Sequence, residues 1–140
     1  RYWKIPYEYK IYNQSPYSDI VVYSHSNIDK HLMDKNNISR VEIENTFNNK
    51  DYFNFIFNDL ANRGINNLLI ECGSMLNTIL LSLNLVDQLL IFRSGNIIGN
   101  DGIPFIEELN FSVMKDLKNY KISSTRTFED DILEIRKLFK

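Results

Sequence analysis

The chain has 140 residues, a formal net charge of −2, and a hydrophobic content of 44%. This length suits one domain, and the apolar content is sufficient for a hydrophobic core, which argues against a disordered chain. No run of five or more Lys and Arg residues occurs, so the composition favours neither nucleic-acid binding nor membrane-surface binding. The longest apolar runs, 20–23 and 89–92, are far shorter than the roughly 20 residues that cross a bilayer.

Cys72 is the single cysteine, which excludes an internal disulfide and a multi-cysteine zinc site. This cysteine usage fits a reducing compartment, so a cytoplasmic location is expected. The two histidines, His25 and His31, lie in a polar stretch without a recognised metal motif, and no metal site is predicted. The first residue is Arg1 rather than Met, so the sequence is interpreted as a processed chain or as part of a longer protein.

Residues 1–18 are dense in aromatic side chains and contain Pro6 and Pro16, a composition that predicts an extended connection rather than a domain. The β-branched run at 19–23 predicts a strand, with a polar turn at 24–27 beyond its carboxyl end. A weaker strand is predicted at 41–43.

Apolar residues recur with helical spacing between 53 and 60, which predicts an amphipathic helix, and Gly64 stands where a C-terminal cap belongs. The continuous apolar run 68–70 predicts a central strand, buried on both faces of a parallel sheet. A second helix is predicted over 75–83, with Ser74 as its N-cap.

A strand is predicted at 85–92, and a loop with three glycines follows at 95–102. Residues 120–126 alternate as a strand does, and Asp130 and Asp131 suggest a hairpin turn. Periodicity does not decide between helix and strand for the residues after 126. The alternation of strands and helices is typical of an α/β fold with a parallel sheet and right-handed crossovers.

The junction at 70–75 joins a predicted strand to a predicted helix. In open α/β sheets ligands bind beyond the carboxyl ends of the strands, and a helix N-terminus there attracts phosphate. Gly73 allows a ligand to approach the backbone closely because it has no Cβ. The alternative is that Gly73 only makes a tight turn and Ser74 only caps a helix. Neither a GxGxxG nor a Walker motif occurs.

Three segments, 63–76, 85–91 and 97–102, resemble the reductase domain of the riboflavin-biosynthesis deaminase/reductase family. In that family's pattern, Arg-Gly-Ile-Asn leads through a hydrophobic strand to Glu-Gly-Gly and a helix. A Leu-Val-Asp strand start and a glycine-rich loop follow, and residues 129–133 are similar to the family's Gly-Asp-Asp-Leu. The resemblance implies a dihydrofolate-reductase-like α/β fold with a mixed, mainly parallel sheet flanked by helices, in one partial domain over 1–140.

Cys72 departs from this pattern, because it places a side chain where the family has glycine and where the dinucleotide phosphates would pass. The family's opening strand, with its Ser-Leu-Asp-Gly segment, has no counterpart, and neither does the zinc-binding signature of the deaminase half. The sequence is therefore interpreted as part of the reductase half.

The resemblance implies NADPH-dependent reduction of 5-amino-6-(5-phosphoribosylamino)uracil to its ribityl product, with Glu71 in contact with this small-molecule substrate and no catalytic acid assigned. The residues implied in NADPH binding are Gly73, Ser74, Met75 and Leu76 at the pyrophosphate, and Ser24 and His25 at the adenosine 2′-phosphate. An unpaired sheet edge predicts a homodimer, and the incomplete domain is expected to be inactive alone. Two alternatives stay open: a dihydrofolate-type reductase, and a non-catalytic remnant or dimerisation module of the same fold.

Overall fold

The computed structural model describes residues 9–12, 19–25, 37–109 and 119–138, in a chain that divides into two compact units, Arg1–Leu68 and Leu69–Lys140. The strands and helices are β1 (Ile20–Ser24), β2 (Ile38–Glu42), α1 (Asn49–Asn62), α2 (Ser74–Ser82), β3 (Gln88–Arg93), β4 (Tyr120–Phe128) and β5 (Asp131–Leu138). Short 3-10 helices cover Lys10–Tyr12 and Gly99–Asp101. The predicted connection at 1–18 lies mostly outside the described residues, and its described part contains the first of these short helices.

The first unit contains a parallel strand pair, in which β1 and β2 align Ile20 with Ile38. The strand predicted at 19–23 is confirmed, and the weaker one predicted at 41–43 begins earlier, at Ile38. The side chains of Val22, Ile38 and Ile43 are buried. Burial of these three apolar side chains supplies the local core of the unit.

The helix α1 begins and ends with recognisable caps. Asn48 accepts a hydrogen bond from the backbone N–H of Asp51 at 3.0 Å, which satisfies one donor of the first turn. At the other end, Gly64 has a φ of 85°, and the N–H of Ile65 donates to the carbonyl of Leu60 at 3.0 Å. This is a Schellman motif, so the predicted role of Gly64 as the C-terminal cap is confirmed.

The prediction of a central strand at 68–70 is wrong. The segment from 65 to 73 has no regular secondary structure, and the side chains of Leu68, Leu69 and Ile70 are 48%, 68% and 37% exposed. Among the described strands, each pairing joins β1 to β2, β3 to β5, or β4 to β5. Apolarity alone favours burial, but a strand also needs a neighbour that accepts and donates its backbone hydrogen bonds.

The second unit begins with α2, whose residues Leu80 and Leu81 are buried. The predicted N-cap is wrong by one position, because Gly73 is the N-cap and Ser74 is the first helical residue. Gly73 has extended backbone angles, and its carbonyl already accepts from the N–H of Asn77 at 3.1 Å. The helix ends before Asn84, whose φ of 58° is the left-handed conformation that closes a helix.

The sheet of the second unit is antiparallel, in the order β3-β5-β4. The residues after 126 that periodicity left undecided form the end of β4 and the strand β5, and Glu129, with a φ of 52°, makes the turn between them together with Asp130. The predicted hairpin is confirmed, but its turn lies one residue earlier than the predicted Asp130 and Asp131, because Asp131 already begins β5. Strands joined by so short a turn must pair in antiparallel fashion.

The expected α/β fold class, with helices and with both parallel and antiparallel strand pairing, is confirmed. Parallel pairing among the described strands occurs between β1 and β2, while the larger sheet is antiparallel, which differs from the mainly parallel sheet expected. Within the described ranges, no helix combines the length and the apolarity needed to span a bilayer.

Candidate functional site

In the second unit, the backbone just before α2 is exposed at Gly73. Gly73 has φ −83° and ψ 175°, and a Cβ added there would meet nothing within 4 Å. The N–H groups in the first turn of a helix have no acceptor within the helix, and the helix dipole adds partial positive charge. Ser74, Met75 and Leu76 form that first turn, and Glu71 lies exposed just before it. The backbone at Gly73 is therefore exposed, and no neighbouring atom fills the space where a Cβ would stand.

A segment far along the chain is fastened to the first two turns of α2. The Ser74 hydroxyl donates to Glu107 Oε1 at 2.9 Å, although the two residues are 33 positions apart. The backbone N–H of Glu107 donates to Thr78 Oγ1 at 2.8 Å, and the side-chain amide of Asn77 donates to the carbonyl of Phe105 at 3.2 Å. Sequence reasoning missed Glu107, because no periodicity or motif links positions so distant in the chain.

Cys72 directs its side chain to the helix. Its Sγ donates a hydrogen bond to Asn77 Oδ1 at 2.9 Å, and burial raises the pKa of the thiol. A helix N-terminus lowers the pKa of a nearby exposed thiol, but the Cys72 side chain is half-buried. The thiol form is therefore favoured over the nucleophilic thiolate.

Ser24 is the last residue of β1 in the first unit, and its hydroxyl is hydrogen-bonded to the guanidinium of Arg40. Ser24 is 7% exposed, and Arg40 Nε donates to its hydroxyl oxygen at 3.1 Å. A second nitrogen of the same guanidinium, Nη2, lies 3.3 Å from Glu42 Oε1. Sequence reasoning missed Arg40, which pairs with Val22 on the parallel strand β2 and therefore lies on the same face of the sheet as Ser24. A guanidinium is the side-chain group best matched to a phosphate.

His25 has a defined hydrogen-bonding arrangement. Its Nδ1 lies 2.9 Å from the carbonyl oxygen of Ile43, and its ring centroid lies 5.5 Å from that of Tyr52. Because a carbonyl oxygen only accepts, we assign the proton to Nδ1. The other nitrogen, Nε2, is then an acceptor in the neutral ring and a donor only in the charged ring. His31 lies outside the described residues.

Ser24 and His25 thus come together in the first unit, and Glu71 lies beside the helix start from Gly73 to Leu76 in the second. The loop after β3 contains a concavity of about 570 Å³, to which none of these predicted site residues contributes. Its lining residues are Asn96, Ile98, Gly99, Gly102, Ile103 and Pro104. The described part of the chain contains no cluster of three His, Cys, Asp or Glu residues that would hold a metal ion.

A curated protein and several solved structures are similar to this chain. The riboflavin biosynthesis protein RibD of Buchnera aphidicola subsp. Baizongia pistaciae is 33% identical over 73 residues, which are 52% of this chain and 20% of that protein. The chain therefore spans about a fifth of the length of this relative.

Two structures of RibD from Acinetobacter baumannii, form 1 and form 2, match with TM-scores of 0.79 and 0.78 and 18% identity. The matches cover 100% and 99% of this chain and 36% of the RibD chain in each case. A pyrimidine reductase-like protein from Corynebacterium diphtheriae matches with a TM-score of 0.59 and 18% identity, over 86% of this chain and 49% of that one. These structures share the fold.

The family described as the RibD C-terminal domain matches residues 2–133, nearly the whole chain and all of the segments that carry the resemblance seen in the sequence. This chain belongs to the RibD C-terminal domain family.

Proposed function

We propose that the chain is part of an NADPH-dependent reductase of riboflavin biosynthesis, which converts 5-amino-6-(5-phosphoribosylamino)uracil into its ribityl product. The observation that carries this proposal is the family match over residues 2–133. The name of the Buchnera relative, a riboflavin biosynthesis protein, supports the pathway. In this proposal, residues 1–140 belong to one reductase domain of a longer, cytoplasmic, homodimeric protein.

The residues at the start of α2 fit a dinucleotide pyrophosphate. NADPH, when bound, would supply the hydride, and the chain would supply binding and orientation. The backbone at Gly73 is open to a phosphate, and the residues from Ser74 to Leu76 would donate backbone N–H groups to it. Open backbone and a helix N-terminus together support this assignment.

The adenosine 2′-phosphate is proposed to bind at the end of β1. Ser24 is too deeply buried to meet a ligand over much of its surface, so its role would be to hold Arg40 through the 3.1 Å hydrogen bond. Arg40 would then attract the phosphate by charge. His25 would donate through Nε2 only in its charged form, since Nδ1 is engaged with Ile43.

Glu71 is proposed to orient the substrate. A carboxylate accepts hydrogen bonds, and the uracil ring and the sugar both carry N–H or O–H donors. Glu71 is exposed beside the helix start, so such donors would reach it. Hydride transfer depends mainly on positioning, which makes an orienting residue important even without proton transfer.

A non-catalytic module of the same fold is the second candidate. The observation that favours it is the exposed segment 68–70, with which no described strand pairs, because a hydride-transfer site needs rigid walls around both reactants. The two candidates make opposite predictions for activity in a longer version of the protein.

The test compares NADPH binding and NADPH oxidation in two proteins, the 140-residue chain and a version extended upstream of Arg1. We expect turnover of the phosphoribosylamino-pyrimidine by the extended version only, because the reacting atoms must be held about 3–3.5 Å apart from both sides. Comparable turnover by the short chain would contradict the incomplete-site part of the proposal. Absence of NADPH binding by the extended version would contradict the reductase proposal and favour the non-catalytic module.

A further inference from the structure

We propose that residues 105–107, here named the strap, compete with the dinucleotide pyrophosphate for the start of α2, with the Glu107 carboxylate as the competing anion. This inference rests on the proposed function, since it concerns the same helix start. It adds a residue that opposes NADPH binding to the residues that support it.

The competition follows from the hydrogen bond between Ser74 and Glu107. The Ser74 hydroxyl has a single hydrogen, and it points that hydrogen at Glu107 Oε1 across 2.9 Å. A phosphate oxygen that takes the hydrogen must displace the carboxylate. The carboxylate also carries the same sign of charge as the phosphate, so the two groups repel each other when both lie near the first turn.

The backbone of the strap is held independently of this carboxylate. The N–H of Glu107 donates to Thr78 Oγ1 at 2.8 Å, and the Thr78 hydroxyl in turn donates to the carbonyl of Ser74 at 2.8 Å. The amide of Asn77 holds the carbonyl of Phe105 at 3.2 Å. The Glu107 side chain can therefore leave Ser74 while the strap stays attached to the helix, so its release requires a side-chain movement rather than an unfolding step.

The chain offers a matched control for the loss of charge. Glu108 is the next residue and is also exposed, but the contacts that fasten the strap to the helix run through Phe105 and Glu107. Glu107→Gln and Glu108→Gln remove the same charge one position apart. Glu107→Ala additionally removes the acceptor for Ser74.

The experiment measures NADPH affinity by fluorescence titration and thermal unfolding with and without NADPH, in the extended version of the protein. We expect Glu107→Gln and Glu107→Ala to lower the Kd for NADPH roughly threefold to tenfold, as for removal of one like charge near a helix start. Glu108→Gln is expected to change the Kd by less than about twofold. Without NADPH, Glu107→Ala is expected to lower the Tm, because the bond to Ser74 is lost.

Suppose that the wild-type protein binds NADPH and that both Glu107 variants bind it equally well or more weakly. This result would contradict the proposed competition by Glu107 and leave the reductase proposal intact. Equal tightening by Glu108→Gln would also overturn it, since the effect would then come from net charge rather than from the contact with Ser74. If neither the wild-type protein nor any variant binds NADPH, both the proposed function and the proposed competition by Glu107 are contradicted. Should Glu107→Ala not fold, Glu107→Gln carries the test alone.

Discussion

Tyr23, in the strand β1, donates a 2.6 Å hydrogen bond to Oδ2 of Asp59 in the helix α1. The same oxygen accepts a 2.7 Å hydrogen bond from Arg63 Nε just beyond that helix. One carboxylate therefore joins the strand, the helix and the helix C-terminus within the first unit. Arg63 opens the Arg-Gly-Ile-Asn segment that carries the family resemblance, so this structure assigns that arginine a part in holding the fold.

Replacing Tyr23 by phenylalanine removes this link without changing the size of the ring. We expect Tyr23→Phe to lower the Tm by about 2–5 °C, because a hydrogen bond to a charged acceptor is lost. Tyr9→Phe is the matched control, since Tyr9 is 57% exposed, and it should leave the Tm unchanged. Equal Tm values for the two variants in a thermal unfolding experiment would contradict a stabilising role for the Tyr23 hydroxyl.

The same link makes stability depend on pH at both extremes. Burial, reinforced by the Asp59 carboxylate, raises the pKa of Tyr23 from 10.0 to about 12. This contribution to the free energy of unfolding is complete below pH 10.0 and is lost as the pH rises towards about 12. Urea unfolding at a series of alkaline pH values should show this loss in the wild-type protein. Tyr23→Phe should lose less stability over the same interval.

At acidic pH the sign is the opposite. The hydrogen bonds from Tyr23 and Arg63 hold the pKa of Asp59 below its ordinary value of 3.8. The stabilisation is present above pH 3.8 and disappears as the pH falls through the lowered pKa. In urea unfolding at a series of acidic pH values, the free energy of unfolding of Asp59→Asn should change less with pH than that of the wild-type protein. The same pH dependence of the free energy of unfolding in Asp59→Asn and in the wild-type protein would contradict this assignment.

Gly73 and Gly64 allow a paired test of binding against stability. Gly73 has extended backbone angles that any residue adopts, and serine is a preferred N-cap, so Gly73→Ser should raise stability by a few tenths of a kcal/mol. Its side chain would stand in the path of the phosphate, and NADPH affinity should fall about tenfold, the loss of roughly 1.4 kcal/mol. Calorimetric titration with NADPH and thermal unfolding measure the two effects.

Gly64→Ala is the control with the reverse outcome. Its φ of 85° is a conformation that costs an alanine about 1 kcal/mol, so stability should fall while NADPH affinity stays unchanged. Weaker NADPH binding in Gly64→Ala, or unchanged binding in Gly73→Ser, would argue against the helix start as the phosphate site.

Cys72 is expected to react slowly with thiol reagents. Burial raises the pKa of its thiol, so the thiolate fraction at neutral pH is smaller than in an unfolded chain. Because Cys72 is the single cysteine, alkylation of the native and the urea-unfolded protein reports on this thiol alone. A native rate equal to or faster than the unfolded rate would mean that Sγ is exposed and that its bond to Asn77 does not form.

Local patterns were sufficient for the elements whose ends carry their own signals. The helix α1 follows from the apolar spacing between 53 and 60. It ends at Gly64 because a residue in the left-handed conformation lets the following N–H groups donate to the last carbonyls of the helix. The Asp130 turn predicts the hairpin between β4 and β5 for a similar reason. The family resemblance likewise depends on short segments of sequence, and the match over residues 2–133 confirms it.

Tertiary structure decided the features that depend on a distant partner. The run 68–70 has the composition of a buried strand, but no described strand pairs with it, and hydrogen-bond partners for a backbone cannot be read from its own side chains. Ser74 was expected to cap its helix and instead donates to Glu107, 33 residues away. The sequence by itself thus determined the family, the C-terminal cap of α1 at Gly64, and the local helices and turns, whose causes lie within a few residues. The pairing of strands, the contact of Ser74 with Glu107 and the link from Arg40 to Ser24 were decided only by the fold, because each needs two segments to meet in space.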